Sequence, residues 1–109
     1  MINLSAISAY HARCTPDAPA LIFEDAVITW REFHRRVLRV AALLRSRGVG
    51  AQDVVALLMK NSPAFLELSF AVSHLGAVLL PINFRLAADE VRYITGHAGA
   101  KLVAVDDEL

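Results

Sequence analysis

The chain has 109 residues, 56% of them hydrophobic and 20% charged, with eleven basic groups balanced by eleven acidic ones; it is one domain at most and carries more apolar material than a small globule needs. Its zero net charge leaves no long-range field to gather nucleic acid or an anionic lipid surface, so neither is expected as a partner. A single cysteine, Cys14, excludes an internal disulfide, and MINLSAISAYHARC lacks a basic stretch followed by an apolar run, so a reducing, cytoplasmic setting is expected.

Leu4, Ile7 and Tyr10 or His11 recur at helical spacing, which predicts a short helix from Leu4 to Arg13 ended by Thr15-Pro16. After the Pro16-Asp17-Ala18-Pro19 loop, two apolar runs flank Glu24-Asp25-Ala26 and read as a β-hairpin from Ala20 to Thr29. Its turn has no glycine to accept a positive φ cheaply. Thr29-Trp30-Arg31-Glu32 has the form of a capping box, with Ile28 and Phe33 placed as a hydrophobic staple. The helix it starts runs through Phe33, Val37, Val40, Ala41 and Leu44 and stops at Gly48. Six of the eleven basic residues lie on it: Arg31, Arg35, Arg36, Arg39, Arg45 and Arg47. With no aromatic platform interleaved, they read as a solvated face or a face docked on acidic surface, ahead of a nucleic-acid site.

Val54 to Met59 is a continuous apolar run, the pattern of a strand covered on both sides in a parallel sheet. Ser62-Pro63 then caps a helix from Pro63 to Leu75, Gly76 ends it, and Ala77 to Leu80 form a second strand closed by Pro81. Glycine, proline, Glu67 and His74 divide residues 65–81 into a helix and a strand, whereas a membrane span needs roughly twenty unbroken apolar residues; no span is expected. Phe65, Leu68 and Val72 make one stripe on this helix while Leu66, Phe70 and Leu75 point away from it, so it must be covered on more than one side. A further helix over Ala88 to His97 and a strand over Lys101 to Val105 complete a βαβαβ unit, with Asp106-Asp107-Glu108 where a loop leaves the sheet. The expected fold is therefore α/β: an N-terminal helix and hairpin followed by a parallel three-stranded sheet, part of a larger layered α/β domain.

Reactive constellations are few. His11, His34, His74 and His97 have no partners at metal-ligand spacing; His74, inside an apolar helix, reads as a satisfied core histidine ahead of a catalytic one. Gly48-Val49-Gly50 follows a helix and precedes a strand, the reverse of the order that aims amides at a phosphate. The helix start after Lys60-Asn61-Ser62 has the right order for an anion, but a capped helix beside an exposed lysine is the plainer reading. No catalytic, cofactor-binding or metal-binding residue is expected within residues 1–109.

The landmarks in order are Pro16-Asp17-Ala18-Pro19-Ala20-Leu21, Thr29-Trp30-Arg31-Glu32-Phe33, Arg47-Gly48-Val49 with Asp53-Val54-Val55-Ala56-Leu57, Asn61-Ser62-Pro63, Leu75-Gly76-Ala77-Val78, Pro81-Ile82-Asn83-Phe84-Arg85-Leu86, Glu90, and Ala100-Lys101-Leu102-Val103. This series resembles the N-terminal segment of the adenylate-forming enzymes, specifically the acyl-CoA synthetases that act on fatty or aryl acids. The chain departs from the family pattern at Gln52 and Ala26, where a glycine is usual, and at Ala87, where a Ser or Thr cap is usual; the last should cost about 1 kcal/mol, softened by Asp89 and Glu90 near the helix start. The resemblance implies a parent enzyme that activates a carboxylic acid with ATP and Mg²⁺, releases pyrophosphate and passes the acyl group to coenzyme A. It also implies that the phosphate loop, the adenine and Mg²⁺ motifs and the catalytic lysine lie beyond residue 109. On that reading residues 1–109 are the N-terminal portion of the large AMP-binding domain, not catalytic by themselves, with the remainder of the enzyme as partner and self-association expected of the isolated piece. The alternative is an independent α/β scaffold or interaction module.

Overall fold

The computed structural model describes residues 3–60, 62–83 and 85–105. Asn3 starts the chain's first helix, α1 (Leu4–Cys14), by accepting a hydrogen bond from the Ser5 amide, the cap that satisfies one orphan N–H of the first turn. A two-stranded antiparallel hairpin follows, β1 (Pro19–Phe23) and β2 (Ala26–Thr29). Its connection is Glu24-Asp25, and Ala26 already belongs to the second strand. The positive φ of the turn, 56°, therefore falls on Glu24 and not on the position where the family glycine stands.

Thr29 caps α2 (Trp30–Ser46) as expected, its Oγ1 accepting from the Glu32 amide at 3.3 Å. The reciprocal half of the box is replaced: the Glu32 carboxylate accepts from Arg35 at 2.7 and 2.9 Å and from Arg36 at 3.0 Å. Two guanidinium groups one turn on are stronger donors than a single backbone amide. Ile28 and Phe33, the expected staple, are both buried.

The parallel sheet has the order β4-β3-β5, formed by β3 (Val54–Leu58), β4 (Val78–Pro81) and β5 (Ala100–Val105). The connections are α3 (Pro63–His74) and α4 (Ala88–Ala98). Helices α2 and α3 end alike, with Gly48 at φ 87° and Gly76 at φ 71°. After each glycine the next amide reaches back, Val49 N to Leu44 O and Ala77 N to Val72 O, both at 3.1 Å, and the four side chains involved are buried. This is the Schellman termination, with its apolar contact across the turn.

The core lies between α2, α3 and one face of the sheet. It is built on Phe33, Val37, Ala41, Leu44, Val55, Leu57, Ala71 and Val72, with Leu79, Leu102 and Ala104 packed against it. The cover that the sequence requires on more than one side of α3 is present: α1, α2 and β4 pack around that helix, and none of its large apolar side chains is exposed. The uncovered surface is on the second face of the sheet, where Val78, Val103 and Val105 are 46%, 41% and 47% exposed. Helix α4 contributes no buried residue. Asn61, Phe84 and the acidic end Asp106-Asp107-Glu108 lie outside the described residues.

Candidate functional site

Two of the three buried polar side chains among the described residues meet at one place, where α1 lies across α2 and α3, while the third, Ser69, bonds to the Phe65 carbonyl of its own helix. Ser5 and Ser8, one turn apart on α1, turn the same face inward and are buried. The Ser8 hydroxyl stands 2.8 Å from Nδ1 of His34 on α2, and the Ser5 hydroxyl 2.8 Å from Nδ1 of His74 at the end of α3. Ser5 Oγ also lies 2.7 Å from Asn3 Oδ1 and Ser8 Oγ 3.0 Å from the Ser5 carbonyl, so each hydroxyl has an acceptor besides its imidazole, and which partner donates within each serine–histidine pair is set by the ring tautomer. Burial, followed by the neighbouring His74, holds the His34 pKa below its ordinary value. The expectation of a satisfied histidine at His74 is met, with Ser5 as its partner. His11 stacks on Trp30 at 4.6 Å and His97 on Tyr93 at 5.9 Å. Among the described residues, no three His, Cys, Asp or Glu side chains come together to hold a metal ion.

The second candidate, the start of α3, offers little to an anion. Pro63 has no N–H, the Phe65 amide donates to Ser62 Oγ at 3.2 Å, and the Leu66 amide donates to the Ser62 carbonyl at 3.2 Å. Of the first-turn amides, the Phe65 and Leu66 N–H groups are thus engaged by the cap itself. The groove beside it, about 360 Å³, is walled by Leu21, Ile22, Phe23, Phe65 and Leu66 and is apolar. The Gly48-Val49-Gly50 amides are also engaged: Val49 N closes the α2 terminus, and Gly50 N donates to Asp53 Oδ2 at 2.7 Å. That bond, with Lys101 at 3.4 Å, holds the Asp53 pKa below its ordinary value.

Three of the five arginines of α2 are in ion pairs: Arg31 with Asp17, Arg35 with Glu32, and Arg36 with both Glu32 and Glu67. Glu67, 14% exposed, takes Arg36 at 3.6 Å across the α2–α3 interface. Burial still raises its pKa, against the pull of Arg36. Two arginines bring the Glu32 pKa down to about 2.

Sequence reasoning missed Ser5 and Ser8, whose partners lie 69 and 26 residues away. Their i, i+3 spacing on an otherwise mixed helix was the available signal. No helix among the described residues is long and apolar enough to cross a membrane.

Comparison with known proteins gives a consistent picture. A family model described as "AMP-binding enzyme" matches residues 9–109. A probable peroxisomal acyl-activating enzyme 5 of Arabidopsis thaliana is 46% identical over 91 residues, covering 83% of this chain and 16% of that protein. A fatty acid–[acyl-carrier-protein] ligase, ScoC, of Streptomyces coeruleorubidus is 36% identical over 101 residues, covering 93% of this chain and 20% of the relative. The solved, inhibitor-bound N-terminal domain of FACL13 from Mycobacterium tuberculosis superposes with a TM-score of 0.90 at 36% identity, covering 96% of this chain and 27% of that one. The chain thus spans a sixth to a fifth of the length of these curated relatives.

Proposed function

The chain belongs to the AMP-binding enzyme family, and from that premise we propose that residues 1–109 are the N-terminal structural part of the large domain of an acyl-CoA ligase. The whole enzyme condenses a carboxylic acid with ATP to an acyl adenylate, releasing pyrophosphate, and then transfers the acyl group to coenzyme A, releasing AMP. ATP, Mg²⁺ and coenzyme A are its cofactors. The residues described here do not fit any of them: the amides that could cradle phosphate are largely hydrogen-bonded within the chain, and no metal-ligand cluster forms among them. We assign no catalytic or cofactor-binding residue to residues 1–109, and no step of the reaction is routed through them. We propose a cytoplasmic setting, with the free, exposed Cys14 in support as the thiol of a reducing compartment.

The observation that carries this reading is surplus surface. The accessible area is 6865 Å², against about 5,900 Å² for a compact monomer of this mass. The radius of gyration is 14.4 Å, against about 13 Å for a compact domain of this length. The excess includes an apolar sheet face of the kind that a layered domain covers.

The test is an enzyme assay on the longest open reading frame that contains residues 1–109. It should release pyrophosphate only when a carboxylic acid is present and form an acyl thioester only when coenzyme A is added. Calorimetric titration of the 109-residue chain with ATP and Mg²⁺ should give no heat. Saturable heat that is lost in Ser62→Ala would overturn the assignment in favour of a small nucleotide-binding domain. A frame that stops at residue 109 would favour an independent scaffold.

A further inference from the structure

The apolar core described above contains no residue of α1. Of the large apolar side chains of this helix, Ile7 and Tyr10 are exposed and Leu4 is half-buried, and the residues it buries are Ser5 and Ser8. What fastens α1 to the rest is therefore chiefly polar: Ser8 to His34 on α2, Ser5 to His74 on α3, and the Leu4 amide to Ser73 Oγ at 2.8 Å. The stack of His11 on Trp30 adds to these. We propose that the two serine–histidine pairs form a pH-dependent latch that holds α1 on the α2–α3 pair, closed while both imidazoles are neutral and released on acidification.

Protonation places positive charge on two half-buried rings that repel each other. The depressed pKa of His34, caused by burial and then by His74, agrees with that geometry.

Compensating charge is absent among the described groups of the packing elements. On α2 the carboxylate of Glu32 is held by Arg35 and Arg36, and on α3 that of Glu67 by Arg36. On α1 the titratable side chains are Tyr10, His11, Arg13 and Cys14, with no Asp or Glu among them. Asp17, in the loop that follows, is paired with Arg31.

The sign follows from linkage. A histidine whose docked pKa lies below its undocked one binds more protons when undocked. Docking is strongest above the ordinary imidazole pKa of 6.5 and is lost as pH falls through it toward the lower docked value. Once undocked, an 11-residue helix is too short to persist in water, so its amides lose protection.

Hydrogen exchange of the 109-residue chain, expressed as protection factors so that intrinsic pH effects cancel, is the test. Between pH 7.5 and pH 5.5 the amides of α1 should lose protection by about tenfold per pH unit inside the titration window, while those of β3 keep theirs. In the double variant His34→Asn, His74→Asn, which retains side-chain donors without the titration, α1 protection should no longer depend on pH. Flat protection of α1 in the parent chain, loss of α1 and β3 together, or unchanged pH dependence in the double variant would each overturn the latch. Should that variant fail to fold, ¹⁵N imidazole spectra of the parent chain decide: a His34 ring that titrates below the ordinary range and responds to the charge of the other ring supports the latch, and a His34 ring that titrates independently in the ordinary range refutes it.

Discussion

Gln52 holds a φ of 68°, a region that costs an L-residue about 1–2 kcal/mol and glycine almost nothing. Its amide donates to the Gly76 carbonyl at 2.9 Å, so the loop before β3 is fixed in this conformation by the end of α3. Gln52→Gly should therefore raise stability by about 0.5–1 kcal/mol, the relief of strain less the added entropy of the unfolded glycine; urea denaturation at unchanged m-value measures it. Glu67 makes the opposite kind of test. Its pKa is raised chiefly by burial, so the ionised form destabilises the fold: stability is fullest below the ordinary glutamate range and declines as pH rises through the raised value. Glu67→Gln should accordingly be at least as stable as the parent at pH 7 and lose that advantage at pH 4, as thermal melts at the two pH values will read. The caps Thr29 and Ser62 were legible in the sequence because a cap is decided by residues three positions apart. The partners of Ser5 and Ser8 were not, because only the tertiary fold brings α1 to His34 and His74.

Among the elements, α4 is the least anchored. Ala87 at its N-cap has no side-chain acceptor, and the Glu90 carboxylate reaches back to the Ala87 amide at 3.3 Å as half of a box. Ala87→Ser restores the missing half in an extended backbone already suited to it (φ −69°, ψ 156°) and should stabilise the chain by about 1 kcal/mol. Exchange protection of the first turn of α4 should rise with it. The order and type of the nine elements among the described residues followed from periodicity, caps and glycine stops, with boundaries within a residue or two. The hairpin turn was displaced because a two-residue connection puts Ala26 opposite Phe23 in the ladder, which no local signal near Glu24-Asp25-Ala26 distinguishes. The rest of the Glu32 carboxylate's chemistry was also hidden: the capping-box pattern is the same whether Glu32 turns back to Thr29 or forward to Arg35 and Arg36.

For the whole molecule, the apolar excess counted in the sequence is divided between a covered helix and a bare sheet face. Helical spacing reports how many sides of α3 are apolar, and α1, α2 and β4 supply the cover that it requires. The face left bare is that of Val78, Val103 and Val105, together with the hairpin, where Ile22 is 71% exposed. Strands β4 and β5 are both sheet edges, and bare edges beside an apolar face recruit other chains when nothing else covers them. Sedimentation equilibrium of the 109-residue chain at micromolar concentration, with an apolar dye added in parallel, therefore tests the account most directly: it predicts a dimer or larger assembly, or a monomer that binds the dye strongly, and a compact monomer that leaves the dye dark would contradict it.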